Sequence, residues 1–365
     1  MLVLNYYTFY NIPMNTYLNL LQQLFMTVVR ENASDLHLSA GRKPVMRVNG
    51  ELITLESKNI LSDEDTFGIL KAIVSEKDMQ RVMDKEEIDF AYTYEKHRLR
   101  STAFIQQGKI CITFRVIQEV KTIDELHLPE SLKELARREQ GLILVVGPVG
   151  QGKSTTIASI INQINEERKE HIVTIEDPIE YIFHDKKSII HQRTVGLDTK
   201  SFEAGLSSIF RQDVNVIMVG EMRNPETIAT VVTAAETGHL VLSTLHTNNA
   251  SQTIDRIVDS FPETQQGQVR AQLANSLIAI FSQRLIPDTK GGLVPAYELM
   301  INNKATANLI REGRTHEIDT IIETGQENGM VDMNKSLIEL VQTGHISIDD
   351  AYQNSLNPKL LDSML

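Results

Sequence analysis

The sequence predicts a two-domain α/β chain: an α+β domain first, then a mainly parallel, doubly wound sheet, and last a helical region. Three observations carry this. Phe90, Tyr92 and Tyr94, and again Ile110, Ile112, Phe114 and Val116, are apolar at every second position, as in strands buried on one face. Residues 142–146, 171–175, 214–219 and 240–244 are short apolar runs without alternation, as expected of strands covered on both faces. Helical segments separate those runs, and strands alternating with helices build a parallel sheet.

The 365 residues, 41% hydrophobic and 23% charged, suit two or three soluble domains. We divide the chain into an N-terminal extension (1–13), a first domain (14–117), a linker (118–130), a second domain (131–300) and a helical C-terminal region (301–365). In the extension Tyr6, Tyr7, Phe9 and Tyr10 crowd before Pro13, and no element is assigned. Leu20, Leu21, Leu24 and Val28 have helical spacing and predict an amphipathic helix over 18–29. Strands at 45–48 and 51–55 flank Asn49-Gly50, a favoured two-residue hairpin turn. A helical stretch follows over 63–83. Residues 98–106 form a further strand, on which Arg98 and Arg100 share a face because they are two apart. Beyond residue 250 the chain reads as mostly helical, with one long helix over 266–283 and another containing 335–342.

The net charge of −12 makes non-specific nucleic-acid binding a poor prospect, because neutralising phosphates takes Lys and Arg; no nucleic-acid partner is expected. No apolar run reaches transmembrane length, and no basic region precedes the apolar residues at the start, so neither a membrane span nor a signal peptide is expected. A single cysteine, Cys111, excludes an internal disulfide or a multi-cysteine zinc site. A cytoplasmic protein fits these features.

Gly147-Pro148-Val149-Gly150-Gln151-Gly152-Lys153-Ser154, followed by Thr155, matches the eight-residue P-loop pattern in full. Gly150 and Gly152 let backbone N–H groups turn inward around phosphate oxygens, and the following helix adds its positive end. Lys153 would reach the β and γ phosphates and Ser154 would ligate Mg²⁺. The pattern predicts ATP as substrate and Mg²⁺ as cofactor. Glu176, Asp177 and Glu180 cluster where the run at 171–175 ends, and open α/β sheets bind ligands at that end of their strands. Val216-Ile-Met-Val-Gly220-Glu221 looks like a Walker B segment, with Gly220 where an Asp usually stands. His239 and His246 bracket the run at 240–244. Seven apart and without a third ligand, they do not make a metal site. His246, past the strand's end, is placed to approach a γ-phosphate.

In this order the acidic segment, the Gly-Glu Walker B and the two-histidine box resemble the secretion-ATPase superfamily, and within it the PilT-type retraction ATPases of type IV pili. The resemblance runs from about residue 33 to about residue 347. Ala33-Ser-Asp-Leu-His-Leu-Ser-Ala-Gly41, Ala234-Ala-Glu-Thr-Gly-His-Leu-Val, Thr253-Ile-Asp-Arg-Ile-Val-Asp and Asn308-Leu-Ile-Arg-Glu312 carry it. It implies a PAS-like N-terminal domain beside a RecA-like ATPase domain, hexameric rings, and nucleotide held between the two domains. It implies Glu180 as the carboxylate that polarises water, Glu221 as the acid near Mg²⁺, and His239 and His246 as the His box. It places Arg98, Arg100 and Arg115 on the phosphates. The implied partners are five further copies of the chain and an inner-membrane pilus platform protein, through which it would lie at the inner face of the cytoplasmic membrane. Gln151, Phe210, Asn215 and Asn224 depart from the family pattern. An ATPase of the same group serving secretion, conjugation or pilus assembly is the alternative. A GTPase is disfavoured, since Asn334-Lys335 is followed by Ser336-Leu337 and not by the guanine-reading Asp. A RecA-like nucleic-acid motor is disfavoured by the acidic charge.

Overall fold

The structure, a computed structural model, describes residues 14–365 apart from Asn49, Lys96, Gln118 and Leu365. The aromatic stretch over 1–13 and Asn49 of the expected turn therefore lie outside the described residues. The chain divides into two compact units, one ending at Glu119 and one starting at Val120.

The first unit contains α1 (Met14–Arg30), β1 (Asp35–Ser39), β2 (Val45–Val48), β3 (Glu51–Thr54), α2 (Asp63–Ile73), α3 (Glu76–Met83), β4 (Ile88–Tyr94), β5 (His97–Gln106) and β6 (Lys109–Val116). Its sheet has the order β3-β2-β1-β6-β5-β4, and every neighbouring pair is antiparallel. One face is packed. Leu21, Leu24, Phe25 and Val28 of α1 bury against Leu36, Leu38, Leu99, Ile112 and Phe114, with Phe25 and Phe114 edge to face at 5.0 Å. The expected helix over 18–29 thus runs a turn longer at its start. The stretch over 63–83 is two helices, because Ser75 caps the second by accepting the Asp78 N–H.

The second unit contains α4 (Ser131–Ala136), β7 (Gly141–Val146), α5 (Lys153–Glu167), β8 (His171–Glu176), β9 (Ile189–Thr194), α6 (Phe202–Ile209), β10 (Val216–Val219), α7 (Pro225–Glu236), β11 (Leu240–Leu245), α8 (Ala250–Asp259), α9 (Glu263–Ser276), β12 (Leu277–Pro287) and β13 (Leu293–Ile301). The sheet order is β13-β12-β7-β11-β10-β8-β9, parallel except for the β12–β13 hairpin. Leu142, Leu144 and Val146 of β7 enter one apolar cluster, while Ile143 and Val145 enter another on the opposite face. That two-sided covering is why the run lacks alternation. Ile123 and Leu128, in the segment read as a linker, are buried in the second of these clusters.

One expectation is corrected. The single helix over 266–283 does not exist: α9 ends at Ser276 and the chain continues as β12. The apolar run Leu277-Ile-Ala-Ile-Phe281 forms a buried strand beside β7, and periodicity alone does not separate such a run from a helix. The C-terminal helices α10 (Lys304–Glu312), α11 (Ile318–Thr324), α12 (Met333–Gln342), α13 (Ile348–Asn354) and α14 (Pro358–Met364) follow. Met333, Leu337, Ile338, Ile346 and Leu361 pack on Ile286, Val294 and Ala296 of the hairpin.

Candidate functional site

A cleft of about 460 Å³ lies at the C-terminal ends of β7, β8, β10 and β11, and the loops leaving those strands line it. Its floor is the P-loop. Gly147 has φ of 147°, and a side chain there would meet the Gln283 carbonyl oxygen at 2.4 Å, so only glycine fits. Gly152 begins α5 in the left-handed region, at φ of 76°.

Lys153 is buried, and its ammonium donates to the carbonyls of Gly147 at 2.8 Å and Pro148 at 2.7 Å. Burial lowers its pKa, against the opposing pull of Glu221 and Glu180. It also lies 3.2 Å from Nδ1 of His246. Because an ammonium only donates, Nδ1 is the acceptor and the imidazole proton sits on Nε2. That Nε2 is 3.7 Å from Glu221. Partial burial, and then the Lys153 charge, lower the His246 pKa, which favours the neutral ring.

The carboxylates differ in surroundings. Glu176 is buried, and accepts from Thr174 Oγ1 at 2.5 Å and Gln192 Nε2 at 3.2 Å; burial raises its pKa. Asp177 and Glu180 are exposed at the mouth of the cleft. Glu221 pairs with the guanidinium of Arg223, which also lies 3.9 Å from Asp177. Thr244 Oγ1 donates to the Gly220 carbonyl at 2.6 Å and Ser243 Oγ to that of Val219 at 2.8 Å, fixing the Walker B turn to β11. Ser154 lines the same cleft.

The structure thus gathers the P-loop, Glu176, Asp177, Glu180, Glu221 and His246. It does not bring His239 to them. That residue precedes β11 at the opposite end of the sheet, where Nδ1 lies 3.1 Å from the Ala234 carbonyl and the ring stands edge-on to Phe210. Arg98, Arg100 and Arg115 belong to the first unit, on the side of its sheet away from the apolar core. Arg100 and Arg115 are directly opposite across β5 and β6, and Arg98 is two residues along. Their partners are Thr93 for Arg98 at 2.7 Å, Asp89 for Arg100 at 3.9 Å and Asp35 for Arg115 at 2.8 Å.

Sequence reasoning missed four residues of the site. Arg223 stands two residues after Glu221 and was within reach of the motif. Tyr181, whose hydroxyl is 2.7 Å from Thr155 Oγ1, adjoins Glu180. Thr244 and Gln283 carry no local signal. The departure at Asn224 has a physical reason. Its Oδ1 caps α7 by accepting the Thr227 N–H, and its Nδ2 donates to Glu203 at 2.8 Å. Bonds from Ser201, Asn224 and Thr227 hold the Glu203 carboxyl down to about 2.

The residues fit Mg²⁺ by donor chemistry: the Ser154 hydroxyl and Glu221 carboxylate are hard oxygen ligands in one cleft. Among the described residues no group of three or more His, Cys, Asp or Glu is placed to hold a metal alone. That donor set suits an ion bound mainly through phosphate and water oxygens. No helix among the described residues is long and apolar enough to cross a membrane.

Residues 14–359 match the family model of the Type II/IV secretion system proteins. The type IV pilus retraction ATPase PilT of Pseudomonas aeruginosa is 40% identical over 339 residues, 92% of this chain and 98% of that one. A twitching motility protein of Neisseria gonorrhoeae is 41% identical over 317 residues, 86% of this chain and 84% of that one. The crystal structure of the pilus retraction motor PilT with bound ADP superimposes with a TM-score of 0.87 at 43% identity, covering 94% of this chain and 99% of that one.

Proposed function

Because the chain belongs to the Type II/IV secretion system protein family and is an ATPase of it, we propose that it converts ATP hydrolysis into retraction of a type IV pilus. One observation carries the reading. The likeness to a retraction motor extends over 94% of the chain, and the P-loop and its facing carboxylates are complete within it.

The backbone N–H groups of Gly150 and Gly152 and the start of α5 receive the phosphates. Lys153 leaves the Gly147 and Pro148 carbonyls for the β and γ oxygens. Ser154 and Glu221 would hold Mg²⁺, which supplies positive charge against the charge developing on the transferring phosphoryl group. Glu180 accepts the proton of the attacking water, giving ADP and phosphate. Glu176 and Asp177 shape the wall behind it. His246 links Lys153 to Glu221, and so couples the phosphate charge to the Walker B acid. Arg98, Arg100 and Arg115 would neutralise transition-state charge. The working form is a homohexamer in the cytoplasm, held at the inner face of the membrane by a pilus platform protein.

Deleting the gene in its own host tests the function. We expect more surface pili and loss of twitching. Cells without pili would make the protein an assembly ATPase, and unchanged pili and twitching would assign it to another secretion machine. Light scattering of the Glu180→Gln protein with ATP should report a hexamer. A monomer at micromolar concentration would contradict the ring.

A further inference from the structure

Residues 283 to 285 of β12 touch the P-loop at three points. The Gln283 carbonyl closes on Gly147, as described. The Gln283 side chain donates from Nε2 to the Gln151 carbonyl at 2.9 Å and accepts the Thr156 hydroxyl of α5 at 2.5 Å. The Leu285 N–H donates to Oε1 of Gln151 at 2.5 Å.

Topology explains why that N–H is available. β12 pairs with β7 only as far as Ser282, opposite Val146, where β7 ends and the chain turns into the P-loop. Beyond it, the β7 side of β12 has no strand to bond. A backbone N–H left unpaired there is costly, and the Gln151 side chain takes the strand's place. Gln151 stands between Gly150 and Gly152, both in the left-handed region at φ of 78° and 76°. These are the freest joints of the loop, and the residue between them is held by both its carbonyl and its side chain.

The strand that holds the loop also carries the C-terminal helices. Beyond β12, Asp288 bonds His345 at 2.7 Å, and Thr289 bonds the His345 carbonyl at 2.8 Å and the Gly344 carbonyl at 2.7 Å.

We propose that Gln151 is a positioning residue: its side chain latches the P-loop to β12 instead of contacting nucleotide. The latch holds the phosphate-binding N–H groups in shape before nucleotide arrives, and ties the loop to the hairpin under the C-terminal helices. Pre-formed loops bind more tightly because less freedom is lost on binding. The inference rests on reading the cleft as the nucleotide site.

The test compares Gln151→Met, which keeps length and loses the acceptor, with Gln151→Glu, which keeps an acceptor oxygen. Three quantities are measured on the full chain: affinity for a fluorescent ADP analogue, the KM and kcat for ATP, and amide hydrogen exchange at Leu285. Gln151→Met should bind ADP about tenfold more weakly and raise KM alike, as expected for one lost hydrogen bond. Its kcat should stay within about twofold, because no group touching the reacting atoms has changed. Leu285 should exchange faster in Gln151→Met and slowly again in Gln151→Glu. Wild-type KM in Gln151→Met, or unchanged exchange at Leu285, would overturn the latch. Failure of the wild-type protein to bind ADP would instead overturn the nucleotide site, and Leu285 exchange would still decide the latch.

Discussion

The two sheets use opposite solutions to the problem of presenting charge. In the first unit every strand pair is antiparallel and one face is packed, so alternation leaves Arg98, Arg100 and Arg115 on the other face. In the second unit β7, β10 and β11 are buried along their whole length and carry no charged residue, so on these three strands charge stands only past their ends. On the open face Arg98 and Arg100 keep exposed partners of modest worth. At the strand ends the buried Lys153 is coupled to its neighbours: Lys153, His246 and Glu221 form one chain of contacts. The difference predicts that removing the buried Lys153 charge alters binding and turnover strongly, while removing Arg98 or Arg100 from the open face acts only through nucleotide.

The largest effect falls on Lys153. Lys153→Ala removes the charge facing the phosphates, and should lower turnover by on the order of 10²-fold or more and weaken nucleotide binding. Titration with a fluorescent nucleotide and a phosphate-release assay would show it. Retained binding and turnover would put the phosphates elsewhere than at the end of β7.

A second test asks what burial on both faces does to a charge inside the sheet. Glu298 of β13 is 4% exposed, and burial pushes its carboxyl up to about 7. The folded state therefore holds a proton that the unfolded state releases. Stability should fall as pH rises from about 4.5 to about 7, and level off above. Both its bonds, from Ala250 N–H and Ser282 Oγ, end on Oε1, an atom that glutamine keeps. Glu298→Gln should be more stable than wild type at pH 8, by up to roughly 3 kcal/mol, and equal to it near pH 4.5. Denaturant melts at the two pH values check this, and a variant less stable at pH 8 would refute it.

The open face gives the third. Arg98→Ala or Arg100→Ala should lower turnover at least about tenfold, or about 1.4 kcal/mol of barrier. Melting without nucleotide should barely move, because exposed pairs such as Arg100–Asp89 contribute little. The stabilisation by ATP should shrink. Normal turnover in both variants would leave the first unit a scaffold.

The smallest effect concerns the loop after Glu221. Asn224→Asp keeps the cap of α7 but turns a donor towards Glu203 into a second carboxylate. It should cost about 1 kcal/mol, roughly 2–4 °C in Tm. An unchanged Tm would mean that the Asn224–Glu203 bond carries no net stability.

Much of this contrast was legible in the sequence. Alternation at Phe90, Tyr92 and Tyr94 against its absence at residues 142–146 separated the two sheet types, because side-chain period reports how many faces are covered. The P-loop and the carboxylates after β8 and β10 were legible because a strand end and its loop are contiguous. Two features were not. The strand β12 follows α9 without a Gly or Pro between Ser276 and Leu277, so nothing local marks the change. The partner of Gln151 lies more than a hundred residues along the chain, and no spacing rule connects Gln151 to Leu285. His239 shows the opposite limit: a motif joins it to His246 in sequence, but a buried strand sets them at opposite ends of the sheet.

The most direct measurement is the paired binding and turnover of Glu180→Gln. Glutamine keeps the shape at the cleft mouth and removes the base. ATP binding should match wild type while steady-state hydrolysis falls by about 10²–10⁴-fold. Turnover within a few-fold of wild type would contradict the assignment of Glu180 and, with it, the mechanism drawn from the strand ends.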